Sequence, residues 1–325
     1  MTASLSANPW VPVDVTDWEL LGVEQAGTNS VVWLRDPVDE QQAWLHKSTT
    51  TPASTGLEQG EDWAEVAATQ AAIALRVPCA ATRLCTRGGR RGSLSLSVKP
   101  AGHDLNEGRV VLISAGVRGY FPHTEGEKAV DPSRPTVKRP GHTLANIKKA
   151  LDGVAAPPGF LGPPVLSAFD VFAGYLILDA LIANRDRHEQ NWAVLRPQLL
   201  GHTDRLAPSY DHGGSLGYNL TDVERERRLS DPSALADWVQ RGTAHRFEHI
   251  GRPTSLVDHA AEGVTMCTTE AAEWWQARLM DLDLTDLSKA LEDGVPGMSD
   301  EAATFVDKLL DLNLRRLQDA ICIGS

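Results

Sequence analysis

The chain has 325 residues, of which 42% are hydrophobic and 23% charged, and its net charge is −12 at pH 7. This describes a globular protein long enough for one large or two-lobed domain and excludes a disordered or fibrous chain. The acidic balance argues against a nucleic-acid surface as the main business, so no nucleic-acid partner is expected.

Cys79, Cys85, Cys267 and Cys322 are scattered without a C-x-x-C pair. They read as small core residues in a reducing compartment, with neither a disulfide framework nor a structural zinc. The N-terminus lacks the charged and apolar regions of a signal peptide. The most apolar run, 169–183, contains Asp170 and Asp179 and is too short to span a bilayer. The expectation is a cytoplasmic protein with no membrane partner.

Residues 1–10 read as a loose tail. From 18 to 47 the pattern is an antiparallel meander: strands at 18–23, 30–34 and 42–45, with turns at 27–29 and 37–40. Lys47 closes the third strand. Residues 48–60 are rich in Ser, Thr and Gly and read as a loop. A helix over 61–76 follows, with Trp63, Val66, Ala67, Ala71 and Leu75 on its apolar side, ending before Val77-Pro78. Two more strands, 82–85 and 93–98, flank Gly88-Gly89, and Leu94 and Leu96 share one face. Lys99-Pro100-Ala101-Gly102 breaks the pattern and marks a hinge. The chain is accordingly divided into a small lobe at 11–100 and a large lobe at 101–325.

Beyond the hinge, 110–115 is a short apolar run. Residues 117–141 form a long loop with Pro122, Pro132, Pro135 and Pro140, and such a loop is either functional or disordered. A helix over 143–151 is broken by two Pro-Pro pairs. Residues 166–182 are apolar nearly all round and should form a buried central helix. Residues 192–195 read as a short strand. The segment 214–229, with Glu224-Arg225-Glu226-Arg227-Arg228, reads as a solvated turn. Helices are expected over 232–240, 255–267, 269–280, 286–292 and 300–321, with Phe305, Leu309, Leu312 and Leu317 as a core stripe in the last.

The chemistry concentrates in Asn184-Arg185-Asp186-Arg187-His188-Glu189-Gln190-Asn191 and in Asp211-His212-Gly213, which begins twenty positions after Asn191. Phosphoryl transfer needs a carboxylate to orient the attacking hydroxyl, and an Asn and an Asp to hold magnesium on the phosphates. Asp186 and Asn191 stand five apart, as in the catalytic loop of protein kinases, and Asp211 before a glycine matches the metal-binding Asp that follows it. Either half alone is also an ordinary turn. The combination, with a strand between, carries the reading. A metal hydrolase is the competitor, with Asp186, His188, His202, Asp204, Asp211 and His212 as ligands. Against it, no second His completes an H-E-x-x-H after His188-Glu189, and there is no H-x-H pair.

In a kinase, the first hairpin turn, here Gly27, Thr28, Asn29 and Ser30, covers the nucleotide phosphates with backbone N–H groups, and a lysine on the third strand, here Lys47, pairs with them. The glycine signal is Gly22 and Gly27, not a full G-x-G-x-x-G. Glu65 is the helix carboxylate placed to hold Lys47. Glu61 competes for that role but sits at the helix N-terminus, where the dipole accounts for it. Val98 and Lys99, at the hinge, offer backbone groups to adenine.

The sequence resembles the HipA-like kinases over about residues 18–320. The resemblance rests on 178–188, Asn191-Trp192 and 206–217, with weaker support from Arg241-Gly242 and the C-terminal helix. It implies a two-lobed, protein-kinase-like α+β fold: a small antiparallel sheet with one helix, then a mainly helical lobe. It implies ATP, Mg2+ and transfer to a serine or threonine hydroxyl of a protein or peptide substrate. Asp186 would be the catalytic carboxylate, His188 would brace the loop, and Asn191 and Asp211 would be the metal ligands. Toxins of this family carry an additional N-terminal subdomain that contributes to partner binding. Only about seventeen residues precede the first strand here, so an antitoxin-like partner is not carried over. Family members can also autophosphorylate a serine in the phosphate-binding loop, where this chain has Thr28 and Ser30. Two other functions use the same residues: a kinase of the same fold acting on a small molecule, and a nucleotide-binding pseudokinase that docks a partner.

Overall fold

The computed structural model describes residues 8–26, 29–122, 129–199 and 201–323. A six-stranded sheet in the order β1-β5-β6-β4-β3-β2 is built from β1 (Val13–Asp14), β2 (Leu20–Ala26), β3 (Asn29–Arg35), β4 (Ala43–Ser48), β5 (Thr82–Arg87) and β6 (Arg90–Leu96). All neighbours are antiparallel except β1, which runs parallel to β5. The β5–β6 hairpin turns through Gly88 and Gly89, whose φ values of 58° and 75° are those of a tight primed turn that β-carbons disfavour. Period-2 alternation orients β4. Trp44 and His46 are buried, whereas Ala43, Leu45 and Lys47 line the cleft on the other face.

Helix α1 (Glu61–Leu75) covers this sheet and ends with Arg76 in the left-handed region, so the expected span is nearly reproduced. Beyond it a three-stranded sheet, β7 (His103–Glu107), β8 (Ala193–Pro197) and β9 (Arg205–Leu206), joins the helices α2 (Gly108–Ser114), α3 (Leu144–Ala150), α4 (Ala168–Leu181), α5 (Asp222–Leu229), α6 (Pro232–Gln240), α7 (Leu256–Thr265), α8 (Thr269–Met280), α9 (Thr285–Glu292) and α10 (Asp300–Gln318). This is a kinase-like α+β arrangement of a small sheet with one helix and a mainly helical remainder. Among the described residues, no helix is long and apolar enough to cross a membrane.

α4 is the axis of the helical part. Every residue in it is buried. Ser167 and Asp170 form a reciprocal capping box that fixes its start, and the Trp275 indole N–H donates to the Asp170 carbonyl at 2.7 Å. A β-carbon at Gly174 would stand 2.3 Å from the Trp275 ring, so this glycine lets α8 lie against α4. At the far end, the Asn313 amide of α10 donates to the Leu181 carbonyl at 3.0 Å.

Two elements differ from expectation. β7 carries the sequence His-Asp-Leu-Asn-Glu, with no apolar alternation to announce a strand; its register with β8 is set by tertiary pairing. The charge run at 222–229 is not a solvated turn but α5, closed at its start by a Thr221/Glu224 capping box. Arg225 and Arg228 are 6% and 9% exposed, with their guanidiniums over the Trp63 and Trp238 rings.

His46 gives the sheet a pH dependence. It is 3% exposed, and neither ring nitrogen has a hydrogen-bond partner among the described residues. Burial, then the charges of Arg87 and Arg90, lower its pKa to about 4. The unfolded chain therefore takes up a proton below about pH 6.5 that the folded chain refuses until near pH 4, so stability falls as pH drops through that window. Between pH 7.5 and pH 5 the native chain should lose about 2 kcal/mol more than His46→Leu, from roughly 1.4 kcal/mol per pH unit. Urea titrations of both proteins at the two pH values measure this. Parallel losses would mean that His46 is not held neutral.

Candidate active site

An open cleft separates the β2–β4 face from the α4–β8 region, and it is lined by Lys47, Val98, Lys99, Asp186, His188, Asn191 and Asp211 among others. Gly27 and Thr28 lie outside the described residues, as do the side chains of Asn29 and Ser30. β2 and β3 pair down to Ala26 and Asn29, so the strands that carry this turn border the cleft.

The 184–191 loop hangs from the C-terminal end of α4. The chain leaves the helix through Ala183 at φ 54°. Asn184 then ties the corner: its backbone N–H reaches the Asp179 carbonyl at 2.8 Å, its Nδ2 donates to Asp179 Oδ1 at 2.7 Å, and its Oδ1 accepts from the Asp186 N–H at 3.1 Å. Arg187 points the other way into the core. Its Nε and Nη2 donate to the two carboxylate oxygens of Asp179 at 2.8 Å each, its Nη1 donates to the Asn191 carbonyl at 2.6 Å, and Nη2 also reaches Ser209 Oγ at 2.9 Å. Ser209 Oγ lies 2.7 Å from His212 Nε2, so one buried guanidinium joins α4, the 184–191 loop and the segment that carries Asp211.

Asp186 is left facing the cleft, its side chain 43% exposed. Its Oδ1 is 2.5 Å from Arg246 Nη2, and its Oδ2 is 3.8 Å from His188 Nε2. His188 Nδ1 accepts from the Gln190 backbone N–H at 3.1 Å, which fixes the ring against its own loop. Burial lowers the His188 pKa, with Asp186 opposing and Arg246 adding to the effect. Asn191 is 4% exposed, and its Nδ2 donates to the Asp186 carbonyl at 2.8 Å.

Asp211 stands in a segment pinned to the sheet side by Ser209 N–H to the Pro78 carbonyl and Ala80 N–H to the Ser209 carbonyl, both 2.8 Å. Its φ of 62° is the left-handed conformation, uncommon for a residue other than glycine and costing of order 1–3 kcal/mol. Its Oδ1 is 2.5 Å from Lys47 Nζ. Burial works to raise the Asp211 carboxyl, but Lys47 outweighs it and the pKa is lowered. For Lys47, burial is likewise outweighed by Asp211 and Glu65, and its pKa is raised.

The expected Lys47–Glu65 pair takes a different form. Lys47 is ion-paired to Asp211, and among the described residues no ion pair within 4.0 Å joins it to Glu65. Glu65 is 3% exposed behind that pair, faced by the backbone N–H groups of His212 and Gly213 and lying 3.8 Å from His212 Nδ1. Burial, then the Asp211 charge, raise its pKa to about 7. A β-carbon at Gly213 would come 3.2 Å from Glu65 Oε2 and 3.1 Å from the Glu61 carbonyl, which accounts for glycine after Asp-His. The hydrolase ligand set is not assembled. His202 is exposed, Asp204 pairs with Arg196, and His212 is committed to Ser209 and Arg187. Among the described residues, no group of three or more His, Cys, Asp or Glu side chains is placed to hold a metal.

Sequence reasoning gave no site role to Asp179, Arg187, Ser209 or Arg246, and considered His212 as a metal ligand, whereas it bonds to Ser209 and Arg187. One signal was present: an acid inside an otherwise apolar helix, eight residues before an arginine, requires a buried cation. Ser209 and Arg246 announce nothing, because their neighbours are set by tertiary folding.

This fold is that of known kinases. The solved Helicobacter pylori proinflammatory kinase CtkA is similar over 97% of this chain and 98% of its own, with a TM-score of 0.68 and 17% identity. A much looser likeness, with a TM-score of 0.41 and 9% identity over 92% of this chain and 62% of that one, is to HipA of Shewanella oneidensis MR-1, solved with HipB and operator DNA. No protein-family model matches the sequence, and no curated protein matches it.

The Arg187–Asp179 pair yields a stability prediction. Both side chains are nearly fully buried, at 2% and 3% exposure. Arg187→Met leaves the Asp179 carboxylate without its cation and should destabilise the fold by about 3–5 kcal/mol. Chemical denaturation measures this, and a loss under about 1 kcal/mol would show that the pair does not organise the loop.

Proposed function

We propose that this protein is an ATP- and magnesium-dependent protein kinase that transfers the γ-phosphoryl group to a serine or threonine hydroxyl. The observation that carries the reading is the convergence of Lys47, Asp186, Asn191 and Asp211 on one cleft beneath the β2–β3 strands. The shared fold with the kinase CtkA supports it.

The donors suit magnesium. Asn191 spends its Nδ2 on the Asp186 carbonyl, which leaves its carboxamide oxygen, and Asp211 supplies a carboxylate held ionised by Lys47. Both are hard oxygen donors. The bound ion would neutralise charge on the β- and γ-phosphates. Lys47 supplies a second cation at the same point. Val98, Leu105 and Tyr210 give the neighbouring part of the cleft an apolar wall suited to an adenine ring. Asp186 receives the acceptor hydroxyl: the Oγ–P bond forms, the bond from phosphorus to the β-phosphate oxygen breaks, ADP leaves, and the hydroxyl proton passes to the Asp186 carboxylate. His188 positions that carboxylate and does not touch the phosphates.

The two aspartates should separate in experiment. Asp186→Asn keeps both metal ligands, so magnesium–ATP should still raise the melting temperature while phosphoryl transfer falls by about a hundredfold or more. Asp211→Asn should lose both the magnesium-dependent shift and transfer. His188→Asn should be milder than either. Thermal shift with and without magnesium, together with labelled-ATP transfer, reads all three. An ATP shift in the native protein that ignores magnesium, or no shift at all, would remove the assignment.

A further inference from the structure

Although the chain carries a net charge of −12, three arginines line the cleft into which Asp186 faces. Arg109, Arg139 and Arg246 line that cleft beside Asp186. They come from three separate parts of the chain: the start of α2, the 129–143 segment and the loop between α6 and α7. Arg246 is 30% exposed and lies on Asp186. Arg139 is 12% exposed, adopts φ 53°, and its ion pair, to the buried Glu189, is a loose 3.7 Å. Burial and, against the attraction of Glu189, the like charge of Arg246 hold the Arg139 guanidinium below its ordinary pKa. This nearly buried guanidinium, in a left-handed backbone and near a second guanidinium, has one ion pair among the described residues, to Glu189 at 3.7 Å.

The neighbouring segments are built to keep these arginines in place. Lys138 is bridged to His249 through paired backbone hydrogen bonds of 2.9 and 3.1 Å. The Gly141 N–H and Arg134 both bind the Glu248 carboxylate. His142 Nδ1–H donates to the Arg246 carbonyl, 2.8 Å away, and the ring stacks on Phe247 at 4.6 Å. Arg139 and Arg246 are thus parts of one braced unit and not loose surface arginines.

We propose that this arginine cluster selects acceptor segments that carry acidic side chains next to the phosphorylated serine or threonine, an inference that rests on the kinase reading for the transfer step. Carboxylates match the fork of a guanidinium, and three guanidiniums from separate parts of the chain line the cleft into which Asp186 faces. Arg246 adds a second consequence. It occupies one oxygen of the catalytic carboxylate, so an acidic side chain on the acceptor competes for Arg246 and frees Asp186 for the hydroxyl. Discrimination should therefore appear in kcat as well as in KM.

Two measurements test this with the full chain. In the first, fluorescence anisotropy follows labelled peptides with a central serine flanked by glutamate, alanine or lysine. The glutamate peptide should bind about tenfold or more tightly than the alanine one, and the preference should weaken with salt. Arg109→Glu, and separately the milder Arg139→Gln, should reduce it, with thermal melts confirming that each variant is folded. In the second, labelled-ATP transfer is measured on the same peptides. The glutamate peptide should have the higher kcat, and Arg246→Gln should shrink the kcat ratio between the glutamate and alanine peptides. Equal binding of all three peptides, a preference for lysine, or variants that change only the affinity for ATP would overturn the proposal, while a retained magnesium–ATP shift would leave the kinase reading standing. Selective binding of the glutamate peptide in a protein that neither binds magnesium–ATP nor transfers phosphate would sink the kinase reading and keep the acidic-segment site.

Discussion

Arg187 and Asp179 are 2% and 3% exposed and meet through two parallel contacts of 2.8 Å. Removing two charges from water is costly, and burial pushes the Asp179 carboxyl above its ordinary range even with Arg187 and Asn184 working against it. Such a pair adds little net stability. What it contributes is arrangement. An apolar core under the catalytic loop would leave the loop free to settle in several ways, whereas a guanidinium with a fixed fork accepts one. Asp179 is held on a fully buried helix whose start is capped and whose end is bonded by Asn313. The rigidity of α4 is thereby passed to the loop that faces the cleft.

The same guanidinium reaches further. Through Ser209 and His212 it is connected to Glu65 on α1, and Glu65 stands behind the Lys47–Asp211 pair. Burial drives His212 to a pKa of about 3, and Arg187 adds to the effect, so the imidazole is neutral; it is hydrogen-bonded to Ser209 on one side and lies 3.8 Å from Glu65 on the other. Groups from the six-stranded sheet, α1, the Asp211 segment, the catalytic loop and α4 are in this way held by one chain of polar contacts crossing between the sheet and the helical part. Its two ends differ in kind. The Asp179 end is a closed pair inside the core. The Lys47 end opens on the cleft, where both charges remain available to a ligand.

Much of this could be read from the residues. α1, α6 and α8 follow their apolar periodicity and their caps to within a residue, because each is an amphipathic or buried helix with unambiguous stop signals. Spacing alone singled out Asp186, Asn191 and Asp211, and the fold brings all three to one cleft. What the sequence hid is long-range. β7 exists only because β8 offers it a partner. α5 looked solvated because nothing local reveals that Trp63 and Trp238 wait for Arg225 and Arg228. Lys47 was paired in expectation with Glu65, whereas in the folded chain its ion pair is to Asp211. Choosing between two acids requires knowing how far each reaches, and spacing does not carry that.

The loop from 184 to 191 shows how a short polar stretch can be both rigid and reactive. Its residues alternate in environment. Asn184, Arg187, Glu189 and Asn191 are buried, while Arg185 and Gln190 are exposed and Asp186 and His188 sit between. Asn184, Arg187 and Asn191 spend their hydrogen bonds on α4, Ser209 and the loop's own backbone, and Glu189 is met by Tyr120 and Arg139. The outward set makes few such bonds and faces ligand and solvent. Arg187 serves the fold and Asp186 faces the cleft, while Asn191 does both, its Nδ2 bonded to the loop backbone and its side chain lining the cleft. Arg187 and Asp186 are adjacent in sequence, yet one anchors the loop in the core and the other faces the cleft, where Arg246 pairs with it. This separation lets the outward positions, and the arginines that border them, change with the acceptor while the inward positions stay fixed by the requirement that no buried charge be left alone.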